Sequence, residues 1–392
     1  NAADTIRFIN EVSLNIGGNV ELNAGENLEV ETGEWNVDGD ADLSSGLDLL
    51  FTEGASSLSI DTGENLTLTA GRNLEMAGNF SVSGETTVTI EKEAQIDGVI
   101  ASDGDLDLTT SGTLTLNGTL FSAANLTITV EALFVLAQTG VLEADDTLTL
   151  NLSGDFDIHG YLAGGEVLDV NVGRDLWIYE TGEVFAGSEL NLEAGRNLWI
   201  YGSANTEGET GKAILEAGTL DPSGAIFMRT EDALTAHYLI AQAAAGMMLQ
   251  TEVNLFDAEV TQGILEIHEM DNLVLNQVEN LDGAIRVLAE DTVWARSVKS
   301  TTDEAGNNVM IANTAGNIVV DYIETGLHHG QIILSAWNHI REWDPADSDI
   351  DLMANVAVLY ANEEIWGGSL AMETYVFHKY TRTGPDLVLE TE

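Results

Sequence analysis

The feature that most constrains this chain is a short apolar–polar–apolar triplet that recurs about every 20 residues. The alternation is that of a β-strand with one buried face. A second strand with the same alternation follows the first, as Leu74 follows Leu66. A third strand then begins after a glycine such as Gly78. The first apolar residues of the triplets in the first half of the chain are Leu28, Leu47, Leu66, Val88, Leu106, Leu126, Leu148, Leu168 and Leu190.

A unit this short cannot bury its own apolar face, so neighbouring units must stack. The repeat therefore predicts an all-β chain, a right-handed parallel β-helix with three short strands in each coil of about 20 residues. A β-propeller is the alternative, but its blades need about 40 residues and hairpin turns. The residues expected in one buried row are Leu47, Leu66, Val88, Leu106, Leu126 and Leu148, and those expected in a second inner wall are Phe134, Phe156, Leu176 and Leu198.

The regularity of the repeat divides the chain into three parts. Residues 1–220 predict regular coils, and residues 221–362 predict less regular coils with loop insertions. Residues 363–392 are interpreted as a cap, a docking element or a linker to an onward chain. The second part continues the buried row, with the expected members Ile226, Met248, Leu265, Ile285, Val309, Ile332 and Ile350.

The charge of the chain excludes several classes of partner. It has 66 acidic and 13 basic side chains, a formal net charge of −53, and no cysteine. Because nucleic acids need a basic surface and anionic membranes repel such a chain, neither is expected as a partner. Disulfides and thiolate metal sites are excluded. No apolar run reaches the roughly 18 residues of a membrane span, so membrane insertion is not expected either.

The same charge predicts the setting of the protein. A chain at −53 repels itself unless counterions are abundant. We therefore expect a saline or divalent-rich environment. Because the chain opens with Asn1 instead of Met, we interpret it as a processed mature form or as a piece of something longer.

Two stretches carry a family resemblance. The segments LTLTAGRNLEMAGNFSVSG at 66–84 and LNLEAGRNLWIYGSA at 190–204 are similar to the repeats of filamentous haemagglutinin-like adhesins. Those adhesins are large secreted bacterial β-helices, so the resemblance implies an extracellular or cell-surface rod from a bacterium. It does not imply a particular receptor, since the likeness is to a class of repeat.

Clustered aspartates are the candidate metal ligands. The runs at 38–42 and 103–107 resemble the first half of a calcium loop, but leucines stand where an EF-hand needs glycine and glutamate. An acidic surface without a bound ion is the alternative interpretation. A predicted loop holds the better candidates for a weak calcium site, and calcium is the one cofactor expected. These candidates are Asp344, Asp347, Asp349 and Asp351.

Aromatic residues are the candidate contact residues. Trp177 and Tyr179 recur one coil later as Trp199 and Tyr201, and the inward phase of the neighbouring leucines predicts that all four face outward. They form either a platform on which sugar rings or a partner chain can stack, or an aromatic ladder that stiffens the sheet. Near the carboxyl end, aromatic side chains occur close to Lys379 and Arg382, which predicts docking on an acidic neighbour. These aromatic residues are Trp366, Tyr375, Phe377 and Tyr380.

The sequence favours a structural function over a catalytic one. It has no nucleophile elbow and no phosphate-binding loop, and among 66 acids a pair of carboxylates occurs by chance. We therefore expect no enzyme, and expect an extracellular structural or adhesive rod that associates with itself or a like chain into a filament, sheath or stalk. The alternative is a glycan-binding or glycan-cleaving β-helix, a polysaccharide hydrolase or lyase in the second case.

Overall fold

A computed structural model describes residues 2–9, 12–52, 58–229, 234–344, 349–366, 374–383 and 386–390. These residues form β-strands joined by short turns, and none of them lies in an α-helix. The all-β prediction is confirmed. Across these ranges no helix has the length and apolar character that a membrane crossing requires.

The strands are short in the first half of the chain and include several long ones in the second. In the first half they are β1 (Ile6–Phe8), β2 (Val12–Ile16), β3 (Val20–Ala24), β4 (Leu28–Val30), β5 (Gly33–Val37), β6 (Ala41–Ser45), β7 (Leu49–Phe51), β8 (Leu58–Thr62), β9 (Leu66–Ala70), β10 (Leu74–Met76), β11 (Asn79–Val82), β12 (Thr86–Ile90), β13 (Ala94–Ile96), β14 (Val99–Ser102), β15 (Leu106–Thr110), β16 (Leu114–Leu116), β17 (Thr119–Ser122), β18 (Leu126–Val130), β19 (Phe134–Leu136), β20 (Val141–Ala144), β21 (Thr147–Leu152), β22 (Phe156–Ile158), β23 (Tyr161–Gly164), β24 (Val167–Val172), β25 (Leu176–Ile178), β26 (Glu183–Ala186) and β27 (Glu189–Ala194). In the second half they are β28 (Leu198–Ile200), β29 (Ser203–Thr206), β30 (Lys212–Ala217), β31 (Ile226–Met228), β32 (Leu234–Ala243), β33 (Met247–Val260), β34 (Leu265–Glu269), β35 (Leu273–Asn280), β36 (Ile285–Ala289), β37 (Val293–Ala295), β38 (Val298–Ser300), β39 (Val309–Asn313), β40 (Ile318–Val320), β41 (Ile323–Glu324), β42 (Gln331–Ala336), β43 (Ile340–Glu342), β44 (Leu352–Ala361), β45 (Ile365–Trp366), β46 (Thr374–Thr383) and β47 (Asp386–Glu390).

The chain groups into two compact units, and each of them is a parallel β-solenoid. The first comprises Asn1–Glu193 with Tyr201–Ser203, and the second comprises Ala194–Ile200 with Ala204–Glu392. In the first unit each strand pairs in parallel with the third strand after it, as β1 pairs with β4, β2 with β5 and β3 with β6. Three strands per coil require this pairing, and the parallel β-helix prediction is therefore confirmed.

The core of the first unit consists of the inward-facing residues of successive coils. Leu106, Leu126 and Leu148 are direct partners in neighbouring strands and are fully buried, as expected. In the second inner wall the rings of Phe134 and Phe156 stack with centroids 4.6 Å apart. Because each such residue packs on its equivalents above and below, the apolar core continues from coil to coil. The other residues expected in this wall are also fully buried, Leu176 in the first unit and Leu198 in the second.

The predicted row needs a correction of register near its beginning. Leu66 pairs with Thr86, whereas Val88, two residues further on, pairs with Leu68. The prediction for Leu47 is wrong, because it lies in the turn before β7, is 36% exposed, and Leu66 pairs with Ala41 of β6 instead. Side chains in a strand alternate with a period of two residues, so a shift of two leaves the same set of residues facing inward. The alternation alone therefore does not distinguish the two registers.

The second unit is a solenoid with longer strands, and the predictions for two members of its buried row are wrong. Strands β32, β33 and β44 contain 10, 14 and 10 residues. Met247 occupies the inward position predicted for Met248, which is 43% exposed, and Ala357 occupies the place predicted for Ile350, which is 42% exposed. The last strands depart from the pattern, since β46 pairs in parallel with β44 but in antiparallel fashion with β47.

Glycines mark the corners where neighbouring coils come closest. A Cβ atom on Gly118 would lie 1.8 Å from the carbonyl oxygen of Gly98, and one on Gly98 would lie 1.9 Å from that of Gly78. The same Gly98 oxygen accepts a hydrogen bond of 2.9 Å from the backbone N–H of Thr119. Coil-to-coil hydrogen bonding therefore leaves no room for a side chain, which explains the glycines at positions 98 and 118.

Candidate functional site

Three of the predicted outward-facing aromatic residues, Trp177, Tyr179 and Tyr201, form an aromatic stack in the first unit together with His159, which was not predicted. All four are half-buried on the outer face. The rings of His159 and Tyr179 have centroids 3.9 Å apart and an interplanar angle of 17°. Those of Trp177 and Tyr201 are 6.2 Å apart at 30°. Aromatic residues on successive coils therefore make ring-on-ring contact.

The geometry of the aromatic stack favours a structural ladder over a sugar platform. A platform needs an exposed ring face, but neighbouring rings here stack with their faces toward one another. In the second unit Trp199 is arranged likewise, with its ring stacked on Phe227 at 4.4 Å and 18°. Such cross-strand aromatic pairs stabilise a sheet.

The predicted calcium ligands lie on both sides of a gap in the described chain. Asp344 and Asp349 are exposed, and Asp351 is buried with its carbonyl oxygen accepting the backbone N–H of Ile323 at 2.8 Å. Asp347 lies outside the described residues. Within the described ranges no three histidine or acidic residues are placed to hold a metal ion. Weak calcium binding at this loop stays a prediction.

The carboxyl-terminal contact candidates lie in the last coil of the second unit. Trp366 is in β45, and Tyr375, Phe377 and Tyr380 are in β46. Arg382 lies over the ring of Tyr360, 5.6 Å from its centroid. The solenoid thus extends through β46, and the change to antiparallel pairing comes only at β47.

A polar groove lies on the outer face of the second unit, and the sequence analysis did not predict it. It crosses strands β32, β33, β35 and β38 and encloses about 420 Å³. Its floor contains Ala241, Ala258 and Val278, whose small or inward side chains leave the groove open. Its polar lining residues are Gln242, Asp257, Glu259, Gln277, Glu279, Ser297 and Lys299.

The register of the strands arranges the polar groove as two rows. One row follows the direct partners Gln242, Glu259, Glu279 and Lys299 through four successive strands. The second row includes Asp257 and its partner Gln277. The rows are two residues apart along each strand, so both point outward on either side of the buried floor. Carboxylate, amide and ammonium groups therefore repeat with the spacing of the coils.

A β-bulge fixes one carboxylate of the polar groove. The register shifts by one residue after Phe256, so that Asn276 is the extra residue in β35. Its side-chain amide donates to Asp257 Oδ1 at 2.9 Å, and the backbone N–H of Gln277 donates to the same oxygen at 2.8 Å. The hydroxyl of Tyr238 donates to Asp257 Oδ2. Bulges often re-aim side chains next to functional sites, and this one holds Asp257 rigidly.

The other end of the polar groove is held by a second set of contacts. The ammonium of Lys299 lies 5.2 Å from the centroid of the Tyr322 ring, and the Tyr322 hydroxyl donates to Glu324 Oε2 at 2.8 Å. Glu279 Oε1 accepts a hydrogen bond of 2.9 Å from the hydroxyl of Thr301. Side-chain contacts therefore hold Asp257 in one part of the groove and Glu279 and Lys299 in another.

Both tyrosines that border the polar groove keep their protons. Burial, together with the hydrogen bond to Asp257, raises the pKa of Tyr238 to about 12. Burial likewise raises the pKa of Tyr322 to about 12, together with its hydrogen bond to Glu324. Both hydroxyls therefore stay protonated at neutral pH and remain hydrogen-bond donors to Asp257 and Glu324.

One sequence signal marks the polar groove in hindsight. The strand β35 reads LVLNQVEN, in which Leu273 and Leu275 alternate but the next inward residue is Val278. Such a break in a period of two indicates a bulge. The groove itself consists of residues from four strands that lie far apart in the sequence, so no local pattern contains it.

Comparisons of the chain with protein-family models, curated proteins and solved structures gave no match. The parallel β-solenoid is shown by the strand pairing itself. Because one fold supports many functions, the surfaces of this chain are the basis for assigning one.

Proposed function

We propose that this chain is an extracellular structural or adhesive β-solenoid that associates with copies of itself or with a like chain. The product of that association would be a cell-surface filament, sheath or stalk. The resemblance of residues 66–84 and 190–204 to filamentous haemagglutinin-like repeats supports the extracellular and adhesive parts of the proposal. The net charge of −53 supports a saline or divalent-rich setting.

The observation that carries the proposal is the incomplete burial of the first coil. Leu14 pairs with Trp35, and Leu22 pairs with Leu43. Trp35 and Leu43 are 1% and 0% exposed, whereas Leu14 and Leu22, at the same inward positions one coil earlier, are half-exposed. Burial of apolar surface contributes about 25 cal/mol per Å², so a further coil stacked on these residues would stabilise them, and we propose that a second chain supplies it.

The strand edges of the first coil support the same mode of association. Among the described residues β2 pairs with β5 alone, and an open strand edge attracts a further strand. We propose residues 363–392 of a second copy as its complement, since that segment ends in β46 and β47 and carries Lys379 and Arg382. A head-to-tail contact of this kind builds filaments, and a local basic patch suits an acidic neighbour.

The first test replaces Leu14 by glutamate. Wild type should associate in light scattering and form filaments in electron microscopy as its concentration rises, while Leu14→Glu should stay monomeric because a charge now lies in the contact. Asn15→Glu is the matched control, since Asn15 is exposed on the same strand. If Leu14→Glu assembles as readily as wild type, the first coil is not the interface.

A deletion of residues 363–392 tests the complementary surface. It also removes the pairing of β44 with β46, so its thermal unfolding must be compared with that of the intact chain. A folded but monomeric truncated chain is expected. A truncated chain that assembles as well as the intact one would refute the proposed role of this segment.

Glycan binding is the second candidate function, and the polar groove is the specific observation that favours it. Its ordered carboxylate and amide groups repeat from coil to coil on an exposed face. Such groups are the usual hydrogen-bonding partners of hydroxyl-rich ligands.

A further inference from the structure

We propose that the polar groove binds an uncharged, extended oligosaccharide that lies along the stacking direction of the coils. The groove crosses four neighbouring strands, which at about 4.8 Å per strand gives a length of about 14 Å. A sugar unit in an extended linked chain is about as long as one strand spacing. About three successive sugar rings can therefore meet equivalent side chains on successive coils. This binding is independent of association through the first coil.

The charges of the polar groove select against acidic ligands. Its lining includes the carboxylates of Asp257, Glu259 and Glu279, and one basic side chain, that of Lys299. The net negative charge of the lining adds to that of the whole chain, so a polyanionic glycan is repelled. Gln242 and Gln277 offer both donors and acceptors, and the carboxylates accept from hydroxyl groups, which suits a neutral sugar.

The backbone of the polar groove argues against a peptide ligand. An extended peptide binds a sheet by pairing with an open strand edge. Here β32 pairs with β30 and β33, and β35 pairs with β33 and β38. The groove therefore lies over the middle of a sheet and offers side chains only, which matches a ligand recognised through its hydroxyl groups.

The rigidity of the lining reduces the entropic cost of binding. Asp257 accepts hydrogen bonds from Tyr238, Asn276 and the backbone of Gln277 before any ligand arrives. Lys299 is held against Tyr322. Groups that are already ordered lose little freedom when they bind a ligand, so a shallow groove can still give measurable affinity.

The test uses calorimetric titration of the full chain with cellohexaose, laminarihexaose and mannohexaose as neutral probes. At least one should bind with a Kd below about 1 mM. The corresponding neutral trisaccharide should retain most of that affinity and the monosaccharide should not, because the groove spans about three rings. Hexagalacturonate, which is acidic, should not bind.

Substitutions then locate the binding to the polar groove. Glu259→Ala and Gln277→Ala each remove an exposed lining residue, so both variants should fold, and each should weaken binding about tenfold or more. Glu252→Ala is the matched control, since Glu252 is exposed on the same strand β33 but outside the groove, and its affinity should equal that of wild type. Thermal unfolding of each variant checks its fold.

Three results would overturn the proposal. These are no binding of any neutral hexasaccharide, equal binding of hexagalacturonate, and wild-type affinity in both folded groove variants. The first removes the ligand class, the second removes the charge selection, and the third places any binding elsewhere on the chain.

Discussion

Glu269 places a carboxyl group in the core of the second unit. Its side chain is 2% exposed and ends β34 at an inward position, between Thr251 and Ala289 in the neighbouring strands. The Thr251 hydroxyl donates to Oε2 at 2.8 Å, and the backbone N–H of Val253 donates to Oε1 at 3.1 Å. Burial nevertheless raises the pKa of Glu269 to about 8, because desolvation disfavours the charged form more than these bonds favour it.

This buried carboxyl should make stability depend on pH. The folded chain keeps the Glu269 proton up to a pKa of about 8, whereas the unfolded chain releases it near 4.3. Stability is therefore lost as pH rises through that window, and stays low above it. Relative to wild type, Glu269→Gln should gain on the order of 4 kcal/mol in the free energy of unfolding between about pH 5 and about pH 9.

Denaturant unfolding of both proteins at the two pH values measures this difference. Glu290→Gln is the matched control. Glu290 is exposed and follows Ala289, the partner of Glu269 in the next coil, so this variant should have the pH dependence of wild type. Equal pH dependence of wild type and Glu269→Gln would show that the carboxyl is ionised in the folded chain.

Neighbouring coils approach each other most closely at the glycine corners, where backbone contacts backbone. The carbonyl oxygen of Gly98 both accepts the N–H of Thr119 and occupies the place where a Cβ of residue 118 would lie. Regular stacking of these two coils therefore requires a residue without a side chain at position 118. A side chain there must push two coils apart.

Gly118→Ala should consequently destabilise the chain by about 1–3 kcal/mol, the usual effect of overpacking. Gly18→Ala is the matched control, because no atom lies within 4 Å of a Cβ built at Gly18. Thermal unfolding should show a lower Tm for Gly118→Ala and an unchanged or slightly higher Tm for Gly18→Ala. Equal Tm values for both variants would mean that the coils separate at little energetic cost.

Over the whole chain, acidic side chains outnumber basic ones by 66 to 13, so at most 13 carboxylates can have a basic partner of their own. Arg72 is one such partner, and its hydrogen bond to Asp48 holds the pKa of that carboxyl below its ordinary value. The remaining carboxylates repel one another. The Debye length falls from about 30 Å at 0.01 M salt to about 10 Å at 0.1 M, so salt weakens this repulsion.

The Tm should therefore rise by about 5 °C or more between low salt with a chelator and about 0.15 M NaCl. Millimolar calcium at the same ionic strength should raise it further if the loop with Asp344, Asp347, Asp349 and Asp351 binds the ion. Thermal unfolding by circular dichroism provides the measurement. A Tm that is the same in all three buffers would rule out both the electrostatic and the calcium predictions.

The repeat and the alternation of apolar residues were sufficient to predict the parallel solenoid. A unit of about 20 residues with three one-sided strands can bury its apolar face only by stacking. The buried row through Leu106, Leu126 and Leu148 and the stacked pair Phe134 and Phe156 follow from the same pattern. Outward aromatics at Trp177 and Tyr179 were also predictable, because inward and outward positions alternate.

The tertiary structure alone decided register, ring geometry and the polar groove. A shift of two residues keeps the inward set, so the pairing of Leu66 with Thr86 depends on how two coils settle against each other. Coil spacing turns the aromatic rings face to face, which the alternation does not specify. The groove arises where a bulge at Asn276 re-aims neighbouring strands, and its residues meet only because coils about 20 residues apart are stacked. A periodic sequence thus determines which side of each strand is buried, and contacts between coils determine what the exposed side can bind.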